Sequence, residues 1–353
     1  FKFMRNTVIF FCDASPIIGF GHLNRCLVLA HELHRSGECC VMVGPSKKYC
    51  DSSRRSIFKD WIELGEIWED FYQISRLLIK TAKIYNSYMA VLDDYRIDKV
   101  FQKNLKEANM HYLLFDNGKR NDIYADIILN TNPIVSKSDY RNKLTNPKAK
   151  LLLGPKYSII RPEFPPVISK TKGPIKTILI TFGGGDDRGA ILLVLNALLK
   201  IRMQNVEFIV VSGQDNPNNN KIKQWIGSHN FANIELKINP SSIAELFVLC
   251  DLAIMAGGTT VYEVASIGLP MILISIADNQ VKHSYDWSQV TESIKYIGGL
   301  EDFQEEILIK VFNQLLCEEG EMVRHNIKMR TTVDGLGRSR VASEIIKIKE
   351  RHE

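Results

Sequence analysis

The chain has 353 residues, 45% of them apolar, which is about twice the usual single-domain length and enough for two packed cores. Its 45 basic and 40 acidic residues leave a formal charge of +5 with no long basic run or arginine–aromatic interleaving, which argues against a nucleic-acid partner and suits an anionic ligand. No apolar stretch approaches the roughly 20 residues of a membrane span, the N-terminal stretch lacks signal architecture, and Cys12, Cys26, Cys39, Cys40, Cys50, Cys250 and Cys317 have no metal-ligand spacing, so a cytoplasmic chain with reduced thiols and no bound metal is expected.

Residues 7–11 are a continuous apolar, β-branched and aromatic run, which predicts a buried parallel strand. From Leu23 the apolar positions recur at three- and four-residue steps through Leu33, and Gly37 supplies a helix stop, after which residues 39–43 return to strand and close a βαβ unit. Further strands are predicted over 89–92, 112–115, 126–129 and 151–153. The proline-bearing stretch 154–166 then reads as a connection between domains. Beyond it strands are predicted at 175–182, 206–211, 252–256 and 271–275, with helical patterns near 190–201, 241–249 and 259–267. The tail from Glu301 carries three helical stretches. The expected fold is α/β: two Rossmann-like domains facing a cleft, residues 1–162 and 163–353, with a helical C-terminal extension.

In such sheets ligands bind beyond the carboxyl ends of the strands. After the first strand comes Asp13, then Gly19-Phe-Gly21-His22 and Arg25. Glycines allow close backbone approach, and a helix start offers free N–H groups to an anion while disfavouring a protonated imidazole, which suits His22 as a base. A capping or packing histidine is the plainer reading of the same position. After the seventh predicted strand stand Gly183 and Gly184, able to form a nest of N–H groups or merely a tight turn; the Asp186 and Asp187 that follow would repel phosphate and are not assigned to it. Gly257, Gly258, Thr259 and Thr260 again join strand to helix, with Glu263 one turn in, positioned to accept from a ribose diol or to serve as an ordinary first-turn acid. The pair Asp93 and Asp94 with Tyr95, then Asn117, and Asn279 with Gln280 complete the polar loop ends, each readable as a ligand contact or as a solvated turn. Tyr157 and Arg161 either shape the connection or reach an anionic ligand.

Taken in order, Ile18-Gly-Phe-Gly-His22 with Arg25, Asp94-Tyr95, the run from Leu153 to Phe164, Thr181-Phe-Gly-Gly184, Gly257-Gly-Thr-Thr-Val-Tyr-Glu263 and Asp278-Asn-Gln280 resemble the UDP-2,4-diacetamido-2,4,6-trideoxy-β-L-altropyranose hydrolases of pseudaminic acid biosynthesis. That family is similar in fold to the MurG-type GT-B glycosyltransferases. The resemblance spans about residues 8–295. It implies that His22 activates the water that attacks the anomeric carbon, expelling UDP with inversion and without metal or organic cofactor. It further implies diphosphate on Gly257 to Thr260, ribose on Glu263, Asp94 and Tyr95 on the sugar or water side, and Gln280 facing the sugar or its phosphate. One departure is Phe11-Cys12-Asp13, where many members carry arginine on the first strand. A glycosyltransferase using a UDP-amino sugar, a hydrolysing 2-epimerase and a non-catalytic nucleotide-sugar binder are the alternatives. The expected partner is a UDP-sugar, and the expected state a monomer or weak dimer.

Overall fold

The structure is a computed structural model that describes residues 6–350 apart from 16–18, 66, 165–174, 202–205, 230–232 and 318. Ile18 of the first motif and the last prolines of the expected connection lie outside the described residues. The chain divides into two compact units, one of residues 1–161 with 336–353 and one of residues 162–335.

The first unit runs β1 (Thr7–Cys12), α1 (Gly21–Arg35), β2 (Cys39–Gly44), α2 (Ser52–Arg55), β3 (Phe58–Glu63), α3 (Phe71–Ile84), β4 (Ser87–Asp93), α4 (Lys99–Glu107), β5 (Tyr112–Phe115), β6 (Ile127–Asn130) and β7 (Lys150–Leu153). The strands form one parallel sheet in the order β3-β2-β1-β4-β5-β6-β7. Every residue of β1 is buried, as its unbroken apolar run requires of a strand covered on both faces. Strand order reverses between β1 and β4, and Cys12 pairs with Asp93 there, so the last residue of β4 lies beside the loop leaving β1.

The second unit runs β8 (Thr177–Thr181), α5 (Ala190–Leu199), β9 (Glu207–Ser212), α6 (Asn219–Ser228), β10 (Ile234–Ile238), α7 (Ile243–Leu249), β11 (Leu252–Ala256), α8 (Thr260–Ile267), β12 (Met271–Ser275), α9 (Asp278–Ser288), β13 (Ile294–Gly299), α10 (Glu305–Cys317) and α11 (Glu319–Thr332). Its parallel sheet has the order β10-β9-β8-β11-β12-β13, with the reversal between β8 and β11. The glycine loops after β8 and β11 therefore stand side by side, where doubly wound sheets bind ligands.

The expected C-terminal domain of residues 163–353 is corrected at its end. The last helix, α12 (Gly337–Glu350), belongs to the first unit. It buries Val341, Ala342, Ile345 and Ile348 in the same apolar cluster as Leu23, Cys26 and Leu27 of α1. Gly337 makes this approach possible, because a Cβ there would lie 2.1 Å from the Ser158 carbonyl oxygen. Ser339 donates to Glu32 at 2.6 Å, and Lys349 pairs with Glu38 at 3.0 Å. The tail is thus not an appendage: α10 packs on α5, α11 on α8 and α12 on α1. The sequence reading also omitted β3, β10 and β13, all sheet edges.

Candidate active site

Asp93 is the centre of the first unit's strand-end cluster and is fully buried. His22 Nδ1 lies 2.7 Å from Asp93 Oδ1, and the Arg25 guanidinium donates through two nitrogens to the two Asp93 oxygens. Burial alone would raise the carboxyl pKa, but Arg25 and His22 outweigh it and hold Asp93 well below the usual carboxylate range. Burial acts against the Arg25 charge, yet Asp93 and Tyr95 raise that group well above its ordinary value. A carboxylate has no proton to give, so the 2.7 Å contact requires the proton on His22 Nδ1. The Arg25 nitrogen 3.1 Å from Nδ1 is then a neighbouring donor and no hydrogen bond. Neutral His22 thus carries its lone pair on Nε2, the arrangement of a base held by a carboxylate.

Tyr95 packs its ring edge-on to His22, with centroids 4.8 Å apart, and is 44% exposed. Arg25 lies over the Phe115 ring at 4.4 Å, which fixes the guanidinium from the other side.

Asp94 does not join His22. Its carboxylate accepts from Arg96 Nε at 3.0 Å and from Arg96 Nη2 at 2.6 Å, and the same Nη2 donates to Asp13 at 2.6 Å. Arg120 donates to the Asp94 carbonyl at 2.5 Å and to Asp116 at 2.9 Å, while Tyr140 donates to Asp116 at 2.6 Å. These contacts lock the β4 and β5 loops to each other. Arg96 and Arg120 went unremarked in the sequence, where the signal was the number of carboxylates gathered at strand ends without counter-charge. Asn117 is exposed and accepts from the Lys119 backbone N–H, so it shapes a turn. Gly19, with φ +88, donates to the Ser15 carbonyl, and Gly21 opens α1. Tyr157 packs into the core cluster shared with α1 and α12. Arg161 is half-buried at the end of the first unit.

In the second unit Gly183 and Gly184 are exposed. The chain passes so close to them that a Cβ on Gly213 would sit 1.8 Å from the Gly184 carbonyl oxygen. Asp187 turns inward, accepting from the backbone of Gly189 and Ile191 and from Asn218, and thereby caps α5. Asp186 accepts from the Arg188 backbone, whose side chain donates to the Ile276 carbonyl. After β11, Gly257 is buried and Thr259 is exposed at the N-cap of α8, its hydroxyl making no capping bond. Glu263 is buried in the first turn of that helix. Gln280 accepts from the Ile276 N–H at 3.1 Å, and Asn279 is exposed beside it in the first turn of α9.

The residue that sequence reasoning missed here is His283, whose Nδ1 lies 2.8 Å from the Gly257 carbonyl oxygen. In the second unit a cavity of about 440 Å³ lined by Gln289, Thr291, Lys295 and Lys328 opens at the amino end of β13 and includes none of the residues of the glycine loops. Among the described residues no group of three or more His, Cys, Asp or Glu side chains gathers to hold a metal, and no helix is long and apolar enough to cross a membrane.

No family model matches the chain. It is 30% identical over 280 residues to an uncharacterized protein of Methanocaldococcus jannaschii, covering 74% of this chain and 54% of that protein, and so spans about half of that relative's length. It is 28% identical over 261 residues to the UDP-2,4-diacetamido-2,4,6-trideoxy-β-L-altropyranose hydrolase of Campylobacter jejuni, covering 72% of this chain and 86% of that one. The spore coat polysaccharide biosynthesis protein SpsG of Bacillus subtilis is 25% identical over 254 residues, with 69% and 72% covered. Among solved structures, MurG of Acinetobacter baumannii aligns with a TM-score of 0.70 at 14% identity, covering 97% of this chain and 99% of that one. The UDP-GlcNAc 2-epimerase of Neisseria meningitidis, bound to UDP-GlcNAc, aligns with a TM-score of 0.60 at 13% identity, covering 97% and 100%. The fold is of the GT-B type, with two Rossmann-like α/β units.

Proposed function

We propose that the chain is a nucleotide-sugar enzyme that hydrolyses a UDP-linked diacetamido trideoxy sugar at the anomeric carbon, in the making of a nonulosonic acid such as pseudaminic acid. The observation that carries the reading is the His22–Asp93 pair at the strand-order reversal of the first unit, with Nε2 left as the proton acceptor. The likeness to the Campylobacter hydrolase, which extends over 86% of that protein, supports the substrate class. Likeness to SpsG supports a place in polysaccharide biosynthesis.

In this reaction His22 Nε2 takes a proton from water as the water oxygen bonds to the anomeric carbon. The bond from that carbon to the diphosphate oxygen breaks, its electron pair leaves with UDP, and the sugar is released inverted. Asp93 stabilises the imidazolium formed, while Arg25 keeps Asp93 ionised. The N–H groups at Gly257 to Thr260 take the diphosphate charge as it develops, and Glu263 takes the ribose hydroxyls. Tyr95, packed edge-on to His22 and open to solvent, borders the sugar, with Asp94 and Asp13 held behind it by Arg96.

The test is phosphorus and proton NMR of the full chain with the UDP-linked sugar and no acceptor. The expected result is free UDP with the inverted sugar. His22→Ala should retain UDP affinity and slow release by about 10²–10⁴-fold. Binding without release, or release only when a sugar acceptor is added, overturns the hydrolase reading in favour of a glycosyltransferase.

A further inference from the structure

His283 lies in the second turn of α9, behind the loop that joins β11 to α8. Its Nδ1 is 2.8 Å from the Gly257 carbonyl oxygen, and its Nε2 is 3.2 Å from both the Trp287 indole nitrogen and the Tyr262 hydroxyl. An indole N–H only donates and a carbonyl only accepts. The ring is therefore neutral, with its proton on Nδ1 and its lone pair on Nε2. Trp287 is fully buried and Tyr262 nearly so, which holds the imidazole in place.

This bond has a geometric consequence. The peptide bonds here are trans, and in a trans peptide C=O and N–H point in opposite directions. Drawing the Gly257 carbonyl toward His283 of α9 turns the Gly258 N–H away from that ring. Gly257 admits the close approach, since a Cβ there would lie 1.7 Å from Ser284 Oγ. Thr259 leaves the first N–H groups of α8 without a side-chain cap.

We infer that His283 is a positioning residue: its neutral imidazole sets the Gly257–Gly258 peptide so that the Gly258 N–H donates to the diphosphate of a nucleotide. This rests on the reading that the loop holds diphosphate. His283 itself does not touch the ligand.

The probe is UDP, titrated into the full-length protein and into His283→Asn and His283→Leu. Asparagine places an amide N–H near the Nδ1 position and can keep the bond to Gly257, whereas leucine fills the space without a donor. Leucine should weaken UDP binding about tenfold, which is about 1.4 kcal/mol, and asparagine should restore it to within about threefold. UDP should shift the Gly258 amide proton in the native protein and the asparagine variant but not in the leucine variant. Equal affinity and equal Gly258 shifts in all three overturn the inference. Should leucine fail to fold, native ¹⁵N imidazole shifts decide: a proton on Nε2 of His283 overturns it, a proton on Nδ1 with asparagine retaining UDP affinity supports it. Absence of UDP binding by the native protein instead overturns the diphosphate reading beneath it.

Discussion

At the strand-order reversal of the first unit, Arg25, Arg96 and Arg120 interlock with Asp13, Asp93, Asp94 and Asp116. At that of the second, the loops after β8 and β11 present glycine and threonine backed by a neutral histidine, and the nearby Asp187 is turned away to cap α5. Buried ion pairs cost desolvation and are weak stabilisers, so a dense network of them serves chiefly to fix side chains in one arrangement. A neutral loop has the opposite merit. α8 has no side-chain cap, and its Val261 and Tyr262 N–H groups bond the Gly258 and Thr259 carbonyls, so an anion arriving there would have no capping side chain to displace. Under the proposed function, the first region holds a base and the second takes charge that arrives with the ligand.

Breaking the charged region should have the largest effect. Asp93→Asn keeps the shape but replaces one accepting oxygen with a donor, so the substituted amide cannot serve both Arg25 and the His22 Nδ1–H. The His22 proton then moves to Nε2, and UDP release should slow by about 10²–10⁴-fold. Leaving Arg25 poorly paired in a buried site should also cost about 3 kcal/mol, read as a lowered urea midpoint. Undiminished release by this variant would falsify the His22–Asp93 assignment.

Acid should weaken the first unit next. In the first unit burial works against ionisation of Asp93, Asp126 and Glu344, yet their cationic neighbours hold all three below the ordinary carboxylate range. Each therefore stays ionised in the folded chain at pH values where the unfolded chain has bound its proton. Their contribution is complete above about pH 4 and is lost as the pH falls below it, through the folded pKa values. For the fully buried Asp93 this is on the order of 2 kcal/mol. Amide exchange followed by peptide mass spectrometry from about pH 6 to about pH 2.5 should show protection failing in β1, β4 and α1. Protection there that does not change with pH removes the network from the unit's stability.

The central strands β1, β2, β4, β8, β11 and β12 announce themselves because burial on both faces leaves continuous apolar runs, with polar residues only at the strand ends. The edges β3, β10 and β13 are half exposed and carry charges such as Lys59, Glu235 and Lys295 among their apolar positions, so no period stands out. The glycine loops and His22 were legible because backbone conformation and helix starts leave residue-type signatures. Asp93 against Asp94 was not: β4 is buried from Tyr88 onward, its pattern has no alternation to tell which carboxylate faces α1, and it is the contacts of Asp93 with His22 and Arg25 that decide it. His283 lies outside any glycine motif, and its role depends on a contact between two helices and a loop.

The neutral region can be sharpened with two alanines. Gly257→Ala puts a methyl 1.7 Å from Ser284 Oγ, so Ser284 must rotate and give up its 3.2 Å contact with Ser275, or the loop must shift. UDP affinity should fall about tenfold, about 1.4 kcal/mol. Gly258→Ala meets nothing within 4 Å and should change affinity by no more than about twofold unless the methyl meets ligand. Equal effects at the two positions would mean that loop packing is not what aims the N–H groups.

The smallest change compares two helix starts. Asp98 caps α4 by accepting from the Phe101 N–H at 2.8 Å, so Asp98→Ala should cost about 1 kcal/mol of stability and leave UDP affinity alone. Thr259 occupies the same position on α8 but its hydroxyl caps nothing, so Thr259→Ala should leave the urea midpoint within about 0.5 kcal/mol of native. What it should lose is one hydrogen bond to ligand, about 0.5–1.5 kcal/mol or a few-fold in UDP affinity. Thr259→Ser, which retains the hydroxyl, should recover most of that loss. If Thr259→Ala instead lowers stability and leaves affinity unchanged, Thr259 is a cap of the same kind as Asp98, and the contrast between an uncommitted helix start and a committed one disappears.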